Sequence, residues 1–337
     1  MKVSFVIAFA CAILKRRVRT IQLHRYLAPF ILAILALTSP AEAKTHRARF
    51  HPHAIPNYQS VNDLSIPVQA AIAAARQGKR VLVVFDIDNT LLTMPQDLGS
   101  DTWFNWQKSL DDPSTPLGKA AFQKLITDNA ALLQLGQMVP TQPDTAVLID
   151  SLQAAHIPIY ALSARGSDLR GATEGALAKA GIDLSSAPEC GLPLCTRRGK
   201  LNDAQIRAAA RRLYLKVQAQ PFYPITVSDG VMMASGQDKG LLLHLLLSSL
   251  PARYTDVYFV DDTFHNIENV QKAAPLISAR IHPYSYERFW PDAADFMKNK
   301  DRQTKTTQDF SQVKDTLCSA IQAALCITPF EGAGEEK

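Results

Sequence analysis

Five short apolar runs, each ending in polar residues, recur along this chain: VLVVFDID (81–88), IPIYALSAR (157–165), PITVSDG (224–230), DVYFVDD (256–262) and ISARIHP (277–283). Helical patterns separate them: DTAVLIDSLQAAH (144–156), LRGATEGALAKAG (169–181), DAQIRAAARRLYLKVQ (203–218), DKGLLLHLLLSSL (238–250) and HNIENVQKAA (265–274). Strands without an alternating polar face are buried on both sides. Their alternation with helices predicts an α/β fold, a parallel sheet flanked by helices. Such sheets bind ligands at the carboxyl ends of their strands, so the polar residues there are the ones to inspect.

One segment breaks the alternation. About 50 residues separate the first strand from the helix at Asp144, where an ordinary strand-to-helix loop has about 2–6. DTWFNWQKSL (101–110) and GKAAFQKLITDNAALLQL (118–135) within it read as helices. Residues of about 93–143 are therefore expected to form a small helical cap inserted over the strand ends. Upstream, residues 44–60 read as an irregular arm, and DLSIPVQAAIAAARQGKR (63–80) as an Ala-rich helix stopping at Gly78. The resulting division is an N-terminal arm and helix over 44–79, an α/β core over 80–300, and a C-terminal helix and tail over 301–337. No internal repeat or low-complexity tract is present.

The formal charge of +5 does not imply an anionic partner. Residues 1–43 hold Lys2, Lys15, Arg16, Arg17, Arg19 and Arg25 against Glu42, and the remainder carries 30 basic and 30 acidic residues. No nucleic-acid binding is expected. The leader itself reads as an export signal: basic KRRVRTIQLHR, apolar YLAPFILAILAL, then TSPAEA with small residues at Ala41 and Ala43. Cleavage after Ala43 is expected, with a periplasmic or secreted mature chain and no membrane span in it. The apolar region is shorter than the ~20 residues a spanning helix needs. A further apolar stretch at residues 3–14 precedes it, and an uncleaved anchor is the alternative.

Cys11 leaves with the leader, and Cys190, Cys195, Cys318 and Cys326 remain. An even count in an exported chain permits disulfides, and buried free thiols are the other reading. Eight residues along a continuous helix span ~12 Å, so Cys318 and Cys326 are not expected to pair if their helix is unbroken. CGLPLCTRR lacks the spacing of a cysteine phosphatase loop, since Thr196 and Leu201 stand six residues after Cys190 and Cys195. The eight histidines show no zinc spacing.

Four strand or helix ends carry chemistry. The first offers Asp86, Asp88 and Thr90, the second Ser163 with Arg165 close behind. Lys239 opens a helix, and Asp261, Asp262 and Asn266 follow a later strand. Singly, each has a plain structural role as a helix cap, a turn residue or a solvated charge. Jointly, carboxylates converging at strand ends repel one another unless a cation sits among them. Oxygen ligands without histidine or thiolate suit Mg²⁺, and a hydroxyl and a lysine at the same edge suit phosphate oxygens.

With these four motifs in this order, the chain resembles the haloacid dehalogenase superfamily over roughly residues 80–285. It is most similar to exported bacterial phosphatase-like members with a helical cap after the first motif. The resemblance implies a Rossmann-like α/β sheet with Asp86 as nucleophile and Asp88 as general acid and base. It further implies Thr90, Ser163 and Lys239 at the phosphoryl group. Mg²⁺ would be held by Asp86, the backbone carbonyl of Asp88 and Asp262, with Asp261 as the fallback ligand and Asn266 in a second, usually acidic position. An aspartate at 88 implies a phosphatase or phosphotransferase and disfavours dehalogenation. The reading is a Mg²⁺-dependent phosphomonoester hydrolase acting through an aspartyl-phosphate on a small molecule or a phosphoprotein. The alternatives are a phosphotransferase on the same site and a non-enzymatic secreted interaction protein. Trp103, Phe104 and Trp106 read either as cap core or as an apolar wall for the leaving group.

Overall fold

The computed structural model describes residues 58–112, 114–191, 200–212, 217 and 219–320. The elements run β1 (Gln59–Val61), α1 (Ser65–Arg76), β2 (Val81–Phe85), β3 (Leu92–Thr93), α2 (Asp101–Lys108), α3 (Pro116–Leu135), β4 (Val139–Pro140), α4 (Thr145–Ala154) and β5 (Ile159–Ser163). They continue as α5 (Arg170–Lys179), α6 (Asp203–Arg212), β6 (Thr226–Ser228), β7 (Val231–Met233), α7 (Lys239–Ser249), β8 (Asp256–Asp261), α8 (Phe264–Ala273), β9 (Arg280–Tyr286), α9 (Trp290–Lys298) and α10 (Lys300–Ala320).

Seven strands form one sheet in the order β1-β9-β8-β2-β5-β7-β6, parallel except for β6, which pairs antiparallel with β7. This is the expected α/β, Rossmann-like architecture with helices on both faces. Every residue of β2, β5 and β8 is buried, which is why these runs lack a polar alternation. In β2, Val81, Val83 and Phe85 enter the core shared with α1, α4 and α5. Leu82 and Val84 enter the opposite core, shared with α6, α7 and α8. Burying such side chains stabilises the fold by about 1.5–3 kcal/mol each before entropy is counted.

The chain moves outward from β2 through β5 to β7, then returns through α7 to β8 on the other flank of β2. The carboxyl ends of β2 and β8 therefore flank the point where the winding reverses, the usual ligand crevice of such sheets. α7 packs closely against α8. A Cβ on Gly240 would lie 2.1 Å from the Asn269 carbonyl oxygen, so only glycine fits there.

Three features differ from the sequence reading. Residues 59–61, within the expected irregular arm and its junction with the helix, form edge strand β1, which pairs with β9. A three-residue run carries too little periodicity to signal a strand. The separate strand β7 follows the β6 turn, where Gly230 adopts φ +72°. Helix α9 was not read from the sequence, and it joins α10 in packing against the insertion. There Trp103 stacks edge-on with Phe310 and Trp106 with Phe296. Arg302 ties Asp97 of the insertion at 2.5 Å to Asp295 of α9 at 2.8 Å.

Cys190 and Cys318 are both disulfide-bonded, which decides for them between the two readings left open. Cys195, Cys326, the leader and its cleavage position lie outside the described residues. No described helix is long and apolar enough to cross a membrane.

Candidate active site

The sequence folds Asp86 into the crevice because β2 buries five residues in succession and ends at Phe85. The next residue leaves the ladder with its side chain at the strand end, and it is only 5% exposed. The turn that follows is compact. Asn89 takes φ +55°, a conformation asparagine tolerates better than most residues, and its Oδ1 accepts from Thr93 Oγ1 at 2.9 Å.

Lys239, the first residue of α7, is buried and donates to Asp86 Oδ1 at 2.6 Å and to Asp261 Oδ2 at 2.7 Å. Asp238 caps that helix by accepting from Leu241 N at 3.0 Å, which fixes where Lys239 enters the site. Asp261 is the most heavily bonded of the acids. Its Oδ1 also accepts from Thr263 N and from Asn266 Nδ2, each at 2.9 Å. Asn266 thus holds a neighbouring carboxylate, the place an amide can fill where a second acid would repel. Among the described residues, the Asp262 carboxylate accepts one bond, from Thr263 Oγ1 at 3.3 Å, while its backbone is held from both sides. Thr90 Oγ1 accepts from its N–H at 3.1 Å, and Trp290 Nε1 donates to its carbonyl at 2.8 Å.

On the other side of β2, Arg165 grips Asp88 with two bonds, Nε to Oδ2 at 2.9 Å and NH2 to Oδ1 at 2.8 Å. Ser163 ends β5 fully buried, and its Oγ accepts from Arg165 N at 3.2 Å.

The electrostatics follow from burial. Asp86 is pushed up to about 8, first by desolvation and then by Asp261 and Asp88, against the pull of Lys239. Asp262 is raised well above the usual carboxylate range by burial, then by Asp101, Asp86 and Asp261. Burial opposes the charge of Lys239, but Asp261 and Asp86 outweigh it and raise its pKa. Arg165 is raised likewise, its desolvation outweighed by Asp88.

Carboxylate oxygens of Asp86, Asp261 and Asp262 all lie within 4.8 Å of one another. Lys239 satisfies one oxygen each of Asp86 and Asp261, and the Asp262 carboxylate has no charged partner among the described residues. An all-oxygen set with surplus negative charge fits a hard divalent cation such as Mg²⁺. The sequence reading expected Asp86, the backbone carbonyl of Asp88 and Asp262 there, with Asp261 as fallback. The structure brings the three carboxylates together.

Sequence reasoning missed one participant and the partner of another. Asp101, at the first turn of α2 after the Ser100 cap, comes from the insertion. It is pushed up to about 7 by the protein packed around it, then by Asp88, and it acts electrostatically on both Asp262 and Arg165. No spacing rule ties it to the strand ends. Arg165 was visible beside Ser163, but nothing local indicated its partner. The expected phosphate contact Thr90 has its hydroxyl on Asp262 N, so it braces that loop. Trp103 is buried against Phe310, Phe104 lies near Phe122 and Trp106 meets Phe296. A cavity of about 680 Å³ adjoins the site through Asn89, with Gln96, Ser100, Thr102 and Arg288 on its walls.

Fold and site together define an α/β protein with a carboxylate–lysine cluster at the switch point of its sheet. The chain belongs to the family described as Protein of unknown function (DUF2608), whose model matches residues 59–313. No curated protein matches the sequence. A solved class C acid phosphatase from Bacillus anthracis with tungstate bound is similar at TM-score 0.33 and 11% identity, over 72% of this chain and 86% of that one. A HAD family hydrolase from Deinococcus radiodurans R1 with bound phosphate and sodium is similar at TM-score 0.27 and 14% identity, over 64% of this chain and 94% of that one. Both scores are too low to bear on function.

Proposed function

We propose that this chain is a Mg²⁺-dependent phosphomonoester hydrolase of the haloacid dehalogenase type, with Asp86 as its nucleophile. The observation that carries the reading is the placement of Asp86. It stands at the end of the central strand, held through Oδ1 by Lys239, with Oδ2 free of hydrogen bonds from described residues. Asp88 stands two residues on.

In this reading Asp86 attacks phosphorus, the ester P–O bond breaks, and the departing oxygen takes a proton from Asp88. A water then attacks the aspartyl-phosphate while Asp88 takes its proton, and the P–O bond to Asp86 breaks to restore the carboxylate. Lys239 offsets charge on the transferred group, and the buried Ser163 hydroxyl stands at the same edge. Asp86 and Asp262, with Asp261 beside them, would hold Mg²⁺, which when bound supplies charge neutralisation at the phosphoryl oxygens. The cavity next to Asn89 would receive the leaving group, which favours small-molecule phosphomonoesters. Export follows from the leader, and the mature protein would begin at Lys44.

The test is phosphate release from p-nitrophenyl phosphate and a panel of phosphomonoesters by residues 44–337 with Mg²⁺. Release that chelation abolishes, and that Asp86→Asn eliminates, is expected. Full Mg²⁺-dependent activity in Asp86→Asn overturns the covalent route, and no release from any ester overturns the phosphatase reading. Intact mass of the exported chain checks the cleavage position.

A further inference from the structure

Four of the five N–H groups of the Arg165 guanidinium meet protein atoms. Nε and NH2 take the two oxygens of Asp88, NH1 donates to Thr173 Oγ1 at 2.9 Å, and NH2 also meets Met138 Sδ at 2.7 Å. Its side chain is 4% exposed and that of Asp88 24%. Thr173 belongs to α5, and Met138 lies at the end of the insertion, just before β4. Two separate parts of the chain besides Asp88 thus hold this fork, and the fork holds the Asp88 carboxylate. A planar bidentate pair fixes both position and plane of a carboxylate, which a lysine ammonium does not.

Both Asp88 oxygens act as acceptors toward Arg165 N–H groups. The fork takes up one lone pair on each oxygen and leaves the others free, and the Asp88 side chain stays 24% exposed, so the carboxylate is fixed in place without being closed off.

We infer that Arg165 is a positioning residue that holds Asp88 as the water-activating base of the second step. This rests on the phosphatase reading above. Arg165 touches no reacting atom and acts through Asp88. The first step, with a leaving group that needs no proton, is insensitive to it.

Arg165→Lys keeps the charge and removes the fork. With p-nitrophenyl phosphate it should give a burst of about one p-nitrophenolate per site, then a steady rate lower by ~10²-fold, the low end of general-base contributions. Acid quenching should trap phosphate on the protein, absent from wild type at steady state. In an Asp88→Ala background the same substitution should change the slow phase little, because coupled residues are not additive. A loss merely of packing would slow the burst and the steady phase alike, and would multiply with Asp88→Ala. That result, or an Arg165→Lys enzyme with neither burst nor trapped phosphate, overturns the inference. If Arg165→Lys does not fold, Thr173→Val removes only the NH1 partner and should show the same burst with a smaller drop. Its absence there overturns the inference equally. Wild type inert toward every ester is a different failure, which removes the phosphatase reading and the inference with it.

Discussion

Lys239 Nζ lies 2.6 Å from Asp86 Oδ1, joining positions 153 residues apart in the chain. The pair is buried, and the same ammonium serves Asp261, so one cation holds the ends of β2 and β8 together. Paired charges of this kind are costly to separate, because whichever partner remains is left uncompensated.

Lys239→Met should therefore abolish Mg²⁺-dependent phosphate release and also weaken the fold. Breaking a buried pair costs about 3–5 kcal/mol. Urea unfolding of the variant at pH 7 should show a lower midpoint, with a loss of unfolding free energy of that order. A wild-type midpoint would mean that the pair carries little of the stability.

Raised carboxyls make a pH prediction with a definite sign. Asp86 is held at about 8 and Asp101 at about 7 in the metal-free fold, against about 3.9 in an unfolded chain. The native state thus binds more protons than the unfolded one between these values. The stabilisation is full below about pH 4 and is lost as pH rises through 7 to 8. Thermal unfolding in chelator should give a lower Tm at pH 8.5 than at pH 6, beyond the change in Asp86→Asn/Asp101→Asn. Adding Mg²⁺ should recover more of the loss at the higher pH, where the carboxylates are ionised.

Asp261 and Asp262 should separate cleanly. Asp262→Ala removes a carboxylate whose one partner among the described residues is a hydroxyl, so the fold should survive while the Mg²⁺-dependent rise in Tm disappears. Asp261→Ala strips Lys239, Thr263 N and Asn266 of an acceptor and should unfold at lower denaturant with or without metal. Equal Mg²⁺ responses in Asp262→Ala and wild type would move the metal away from Asp262.

Gly240→Ala should show how tightly α7 must approach α8. The new methyl would sit 2.1 Å from Asn269 O, a backbone atom that cannot move alone. Overpacking of this kind costs about 1–3 kcal/mol. Gly175→Ala, on the exposed face of α5 with no atom within 4 Å of the added carbon, should instead stabilise by up to ~1 kcal/mol. Chemical denaturation of both variants checks the pair.

By itself the sequence determined the sheet, because runs such as VLVVF and DVYFV cannot be solvated on either face and helical stretches separate them. It also placed Asp86, Lys239, Asp261 and Asp262 at one edge, since each follows or opens an element whose carboxyl or amino end lies there in a parallel sheet. Only the tertiary structure decided which atoms pair. That Arg165 holds the Asp88 side chain, and that Thr90 braces Asp262, depends on rotamers set by neighbours far away in sequence. The insertion shows the limit most plainly. Trp103 and Trp106 read from the sequence as cap core or as a substrate wall, and their edge-on contacts with Phe310 of α10 and Phe296 of α9 come from elements far along the chain. Asp101 had no periodic signature at all, because its approach to the acids depends on the angle at which α2 crosses the strand ends. That angle is set by side-chain packing and by the tie between Asp97 and Arg302, not by any local propensity.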